Sequence, residues 1–244
     1  MFFSHCNLQC VYCQNHQISN NLSDPKYGNI DVVVQQIKDV LSNSHNVLGF
    51  VSPTSQVPQM RGIIKMLQKQ GLEPVIVYNT NSYEQVEVLK QLEDVVDVYL
   101  ADMRYAFDEI SKELSGAKDY PEKAIAALRE MYRQKGASLL TNAEGEIEKG
   151  FIIRILCLPQ MNENTMKILD LIADNISLNV HISLLSQYYP PSIMAKSALN
   201  RCLCKEEYDI VVNYALQLGF TKLQTQELSS AGSLRPNFND DMPF

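Results

Sequence analysis

Apolar residues recur along this 244-residue chain in two alternating rhythms. Short apolar runs of strand length, "NVLGFVS", "PVIVYNT", "VVDVYLADM", "FIIRILCLP" and "NVHISLLSQ", are separated by longer segments with apolar positions at helical spacing. In "IDVVVQQIKDVLS", residues Ile30, Val33, Val34, Ile37, Val40 and Leu41 fall on one helical stripe. "VPQMRGIIKMLQKQG" and "YPEKAIAALREMYRQKG" predict helices closed by Gly71 and Gly136. "YEQVEVLKQL", "DEISKELS", "MNENTMKILDLIADNI" and "KEEYDIVVNYALQLG" also read as helices, and "SLLTNAEGEIEKG" as a hairpin arm with Glu-Gly at its turn.

With the short apolar start "MFFSH" counted as a first strand, six strands alternate with helices. That order predicts an α/β fold with a parallel sheet. An open doubly wound sheet is the other shape that fits, but the G-x-G-x-x-G turn expected of a dinucleotide-binding sheet follows no strand, which tilts the reading toward a barrel with fewer than eight units. The reading is therefore a partial (β/α)6 TIM-like barrel. It spans residues 1–244 as a single domain, since no low-complexity segment or long linker divides the chain.

Composition narrows the function classes. A content of 45% hydrophobic residues is ample for a sizeable core, so cysteines are not needed to staple a small fold. The net charge of −7 gives no general attraction to phosphate, which disfavours nucleic acid. No apolar run reaches membrane-spanning length, and "MFFSHC" is too short and uncharged for a signal peptide. A cytoplasmic setting with reduced cysteines is the expectation.

In a barrel of this kind the chemistry sits on the loops that follow the strands. Those positions hold Cys6, Cys10 and Cys13; then Ser52, Pro53, Thr54 and Ser55; then Tyr78, Asn79, Thr80 and Asn81; then Asp102, Met103 and Arg104; and last Gln187, Tyr188 and Tyr189. Arg154 lies inside the fifth strand. Such a rim of hydroxyls, amides, one carboxylate and guanidinium groups suits a small zwitterionic ligand bearing a sugar. Ser55, Asn81 and Tyr189 read as ordinary loop-capping groups.

Three thiols within "CNLQCVYCQN" set the chemistry to explain. Zinc takes four protein ligands, or three and a water; His5 or His16 could complete a set, but their offsets match no usual zinc spacing. Four-iron clusters normally take four thiolates, so three would leave one iron open to a non-protein ligand.

The spacing C-x-x-x-C-x-x-C, with Tyr12 before the third cysteine, resembles the signature of the radical S-adenosylmethionine superfamily. The resemblance implies a [4Fe-4S] cluster whose open iron is chelated by S-adenosyl-L-methionine. It implies reductive cleavage to a 5′-deoxyadenosyl radical that abstracts hydrogen from a substrate. Over nearly the whole chain, "VSPTSQVPQM", "VDVYLADMRY", "IIRILCLP", "LLSQYYP" and the tail "LRPNF" further resemble the branch of pyruvate formate-lyase activating enzymes and PflX-like Fe–S proteins. Carried over, Cys6, Cys10 and Cys13 would ligate the cluster. Tyr12, Ser52, Thr54, Asn79, Thr80, Asp102, Arg104, Arg154, Gln187 and Tyr188 would face S-adenosylmethionine. The implied partners are a flavodoxin or ferredoxin-like electron donor and a glycyl-radical-type protein substrate. The alternatives are a radical enzyme acting on another small-molecule, protein or RNA substrate, and a non-catalytic metal-binding module.

Three features depart from that branch. "VSPTS" stands where a Gly-Gly-Glu segment is usual, so Ser52, Thr54 or backbone carbonyls must serve in its place. "ADMRY" has Asp-x-Arg for Asp-x-Lys, and His5 replaces a glycine before the first cysteine. The chain also begins only five residues before Cys6, so either an N-terminal segment is missing or the barrel edge is less covered. Cys157 reads as a core residue. Cys202 and Cys204 are too few to require an auxiliary metal, and His16, His45 and His181 read as serving locally.

Overall fold

A computed structural model describes residues 1–19, 29–42, 46–191, 198–232 and 236–238. His45, most of the polar stretch before the first long helix, and Leu234 and Arg235 of the tail lie outside the described residues. Five of the six expected strands form as β1 (Val47–Val51), β2 (Val75–Thr80), β3 (Val98–Asp102), β5 (Ile147–Leu156) and β6 (His181–Leu185). With β4 (Leu140–Thr141) and β7 (Leu223–Thr225), they make a seven-stranded sheet. Its order is β1-β2-β3-β5-β6-β7, every neighbour parallel, with β4 antiparallel on β5. The described sheet is open, an α/β partial barrel.

The first expected strand is reduced to a single parallel bridge, Phe2 with Val51. The Val51 N–H donates to the Met1 carbonyl and the Phe3 N–H to that of Val51. The chain then turns away at His5, whose φ of 67° lies in the left-handed region. β7 was not anticipated: in its three residues only Leu223 is apolar, and a short edge strand leaves little sequence pattern. The first half of the expected hairpin arm forms β4, and its second half runs on into the fifth expected strand as the ten-residue β5. Gly145, at φ 84°, supplies the hairpin turn.

The helices are α1 (His16–Ser19), α2 (Ile30–Leu41), α3 (Val57–Gln68), α4 (Val86–Lys90), α5 (Asp108–Ser115), α6 (Tyr120–Lys135), α7 (Asn162–Asn175) and α8 (Lys205–Leu218). α4 is much shorter than its apolar spacing predicts. Ser82 sits in the left-handed region, and the side chain of Asn81 caps the Tyr83 N–H, so the segment starts as a turn. α3 buries Met60, Ile63, Ile64 and Leu67, while α6 buries Ala124, Ala127, Leu128 and Met131. Each such Leu or Ile is worth about 1.5–3 kcal/mol of apolar transfer.

The strands decide where chemistry can sit. Phe50, Tyr78, Ala101, Ile153, Ile155 and Leu184 are buried in the core. The alternate positions, Val51, Asn79, Asp102, Arg154, Leu156 and Leu185, line a cavity at the carboxyl ends of the strands.

Candidate iron–sulfur and cofactor site

The cysteine loop is pinned from both sides. His5 and Cys6 N–H groups donate to the carbonyls of Ile18 and Ser19 in α1, and Gln9 and Val11 N–H groups to those of Ser115 and Leu114 in α5. Leu8 and Tyr12 are buried, which turns the half-buried Cys6, Cys10 and Cys13 onto a cavity of about 270 Å³. All three cysteines are free thiols.

Each sulfur has its own polar partner. Cys6 Sγ accepts from the Leu8 N–H at 3.5 Å and from Asn81 Nδ2 at 3.4 Å. Cys10 Sγ accepts from Ser115 Oγ at 2.9 Å and lies 4.0 Å from Arg104 Nη1. Cys13 Sγ shares a hydrogen bond with Ser19 Oγ at 3.2 Å. Burial pushes the Cys6 and Cys13 thiols up, so both are neutral at pH 7 until a cation displaces their protons.

Opposite the thiols, Asp102 and Arg154 are register partners on β3 and β5. Asp102 Oδ1 accepts from Arg154 Nε at 2.8 Å, and its Oδ2 from Arg104 Nη2 at 2.6 Å. Arg154 Nη2 also donates to Asn79 Oδ1 at 2.6 Å. Two guanidinium charges against one carboxylate leave this group one positive charge in excess. Burial works against the Arg104 charge, but Asp102 and the Cys10 sulfur hold its pKa well above the ordinary value. Its Nε is buried without a hydrogen-bond partner among the described residues. A site already holding spare positive charge and an unspent donor suits an anionic group.

Of the residues expected to face the cofactor, Tyr12, Ser52, Asn79, Thr80, Asp102, Arg104, Arg154 and Gln187 line the cavity with the three cysteines. Thr54 and Tyr188 are not among its lining residues. Thr54 Oγ1 donates to Glu84 Oε1 at 2.7 Å; Tyr188 is buried, with its hydroxyl donating to the Leu199 carbonyl at 2.7 Å and its ring edge against Tyr12. Thr80 also spends its hydroxyl on Glu84, at 2.6 Å. Gln187 is held by Gln14, which donates to its carbonyl, and by Gln226, which donates to its Oε1. Ser52 adopts φ 55° at the place where glycines are usual in the resembling branch.

Sequence reasoning passed over Glu84, Ser19, Ser115 and Tyr105, and read Asn81 as a loop-capping group; it does cap the Tyr83 N–H, and it also donates to Cys6 Sγ. Asn81 sits in a segment already singled out, and its single amide carried no signal that it reaches a thiol. Ser115 approaches Cys10 across a separation of 105 residues, which no local pattern encodes. Cys157 is buried, its thiol pushed up to about 12 by desolvation. Cys204 lies 3.3 Å from Glu207 Oε2, and Cys202 is exposed.

Among the described residues, no three His, Cys, Asp or Glu side chains converge tightly enough to grip one metal ion. The three thiols line one cavity without meeting at a point. A mononuclear zinc site needs convergence, whereas a polynuclear cluster binds each cysteine at a different iron. The thiols, their donors and the positive group facing them fit such a cluster with an anionic ligand beside it.

Comparison with known proteins agrees. Residues 1–172 match the Radical SAM superfamily, and the chain belongs to it. The superfamily carries a [4Fe-4S] cluster and S-adenosylmethionine. The chain is 30% identical over 227 residues to the uncharacterized protein MJ0674 of Methanocaldococcus jannaschii, covering 88% of this chain and 61% of that protein. In fold it is similar to Streptococcus suis SuiB bound to S-adenosylmethionine, with a TM-score of 0.65 at 13% identity over 97% of this chain and 52% of that one. A domain of pyruvate-formate lyase-activating enzyme from Bacteroides vulgatus ATCC 8482 gives a TM-score of 0.54 at 13% identity, covering 74% and 99%. The chain thus spans less than two thirds of the length of MJ0674 and about half of SuiB. No helix among the described residues is long and apolar enough to cross a membrane.

Proposed function

We propose that this protein is a radical S-adenosylmethionine enzyme that takes a hydrogen atom from a polypeptide of a partner protein, with a glycyl residue as the target. One observation carries the reading: three donor-capped thiols share a cavity with the Asp102–Arg104–Arg154 group at the carboxyl ends of a parallel sheet. Cys6, Cys10 and Cys13 would hold the cluster. Ser52, Asn79, Thr80, Asp102, Arg104, Arg154 and Gln187 would receive S-adenosylmethionine. When bound, these groups supply one-electron cleavage of the sulfonium and hydrogen-atom abstraction.

The chain's own residues do the rest. Arg104 and Arg154 offer paired donors to a carboxylate or to ribose hydroxyls, and Asp102 fixes both guanidinium planes. The excess positive charge offsets the negative charge that accumulates when the thiols ionise. Buried Phe3, Leu8 and Tyr12 form an apolar floor that keeps water from the reacting centre. Two similarities support a polypeptide substrate: SuiB, also seen bound to its precursor peptide SuiA, and the activating-enzyme domain. A flavodoxin or ferredoxin-like protein is the proposed electron donor.

The test is anaerobic reconstitution with iron and sulfide, followed by reduction with S-adenosylmethionine and assay of 5′-deoxyadenosine and methionine. Both products should form and be lost in Cys10→Ala. Deuterium from a Cα-deuterated glycyl polypeptide should then appear in 5′-deoxyadenosine. A four-iron protein that never cleaves S-adenosylmethionine would sink the enzymatic reading. Turnover that takes hydrogen only from small molecules would sink the polypeptide part.

A further inference from the structure

We infer that a chain of three buried hydroxyls, Tyr12, Tyr105 and Ser115, ends on the Cys10 sulfur and raises the reduction potential of the cluster it holds. The inference rests on the cluster reading above. Ser115 Oγ donates to Cys10 Sγ at 2.9 Å, the shortest polar contact of the three thiols among the described residues. A hydroxyl has one proton, so a Ser115 that donates to sulfur accepts from its other neighbour, the Tyr105 hydroxyl. Tyr105 has then spent its own proton and accepts from Tyr12, 2.6 Å away. The order of donors is fixed: Tyr12 to Tyr105, Tyr105 to Ser115, Ser115 to sulfur.

All three side chains are almost fully shielded from solvent, at 3%, 0% and 3% exposure. In such surroundings each bond polarises the next, so the last donor is stronger than an isolated serine. The Arg104 guanidinium stands beside the same sulfur, 4.0 Å from Cys10 Sγ. Among the described residues Cys6 has only longer contacts, to the Leu8 N–H, to Asn81 Nδ2 and to Asn7 Oδ1. A donor aimed at a ligating sulfur stabilises the more electron-rich, reduced cluster and moves its potential upward. Ser115 and Tyr105 are thus positioning residues, brought to Cys10 from the end of α5 and the loop after β3. Their effect is to ease the entry of one electron from an external donor.

The experiment compares wild type, Ser115→Ala, Ser115→Thr and Tyr105→Phe, each reconstituted anaerobically with iron and sulfide. Midpoint potentials are read by mediated spectroelectrochemistry, the electrode supplying the electron, with iron and sulfide content measured alongside. Ser115→Ala is expected to lower the reduced-to-oxidised ratio at fixed potential about tenfold, equivalent to ~59 mV for one electron. Tyr105→Phe should shift it the same way by less, and Ser115→Thr should restore it. Full cluster loading with wild-type potentials in both Ser115→Ala and Tyr105→Phe would overturn the inference and leave the functional reading intact. If Ser115→Ala fails to load, Tyr105→Phe decides, since it keeps the ring and removes only the relayed hydroxyl. A wild type that assembles no cluster overturns the functional reading and this inference together.

Discussion

Glu84 lies under the loop that carries Asn81 to Cys6, and its replacement tests how that loop is held. The residue is 4% exposed, and its carboxyl Oε1 accepts from Thr54 Oγ1, Tyr78 OH and Thr80 Oγ1 at 2.7, 3.0 and 2.6 Å. Truncation in Glu84→Ala strands the hydroxyls of Tyr78 and Thr80, which are themselves buried. At about 1–3 kcal/mol for each stranded buried donor, the variant should lose about 3–4 kcal/mol. That is a large fraction of the 5–15 kcal/mol typical of a domain. Glu84→Gln keeps the accepting oxygen and the volume while removing the charge, and should cost about 1 kcal/mol or less at pH 7.

The sign of the pH dependence follows from burial. Desolvation raises the Glu84 carboxyl above its ordinary value of 4.5. A group raised on folding stabilises fully below its unfolded value, and that contribution is lost as pH climbs through the folded value. Wild type should therefore lose stability relative to Glu84→Gln between pH 5 and 8, and the gap should narrow or reverse. Urea unfolding followed by circular dichroism at both pH values measures it. Equal losses for Ala and Gln at both pH values, or a wild-type advantage that grows with pH, would refute the reasoning.

Three further outcomes are expected. Asp102→Asn leaves Arg104 and Arg154 facing each other across a partly exposed gap and should lower stability by about 1–3 kcal/mol, read by thermal unfolding at low and high salt; salt should recover part of the loss. His5→Gly removes a left-handed strain of about 1–2 kcal/mol but loosens the unfolded chain by about 0.5–1 kcal/mol, so Tm should hold or rise slightly; a clear fall would mean that the imidazole contributes. The double variant Cys202→Ser, Cys204→Ser should keep wild-type iron and sulfide content after reconstitution, and a reproducible loss of iron would reveal a second centre.

Much of this molecule was legible before folding. Strand-length apolar runs alternating with helical stripes are local, so β1, β2, β3, β5 and β6 could be read directly, as could α6 and α7 almost residue for residue. Where the local signal was thin, the reading slipped. "MFFSH" is apolar enough for a strand, yet the left-handed turn at His5 leaves it one bridge. "LQT" is too polar and short to announce β7, which exists because β6 offers it an edge.

The sequence by itself determined the chemistry available: three thiols at cluster spacing, and the order of polar residues delivered to the carboxyl ends of the strands. Those depend on covalent spacing and on the twofold alternation of a strand, both encoded over a few residues. Only the tertiary structure decided which groups were free to use. It turned Thr54 and the Thr80 hydroxyl toward Glu84 and sealed Tyr188 in the core. It set Asp102 opposite Arg154 and brought Ser115 onto Cys10. A hydrogen bond acts over about 3 Å, and the partners that meet at that range are chosen by packing between segments far apart in the chain.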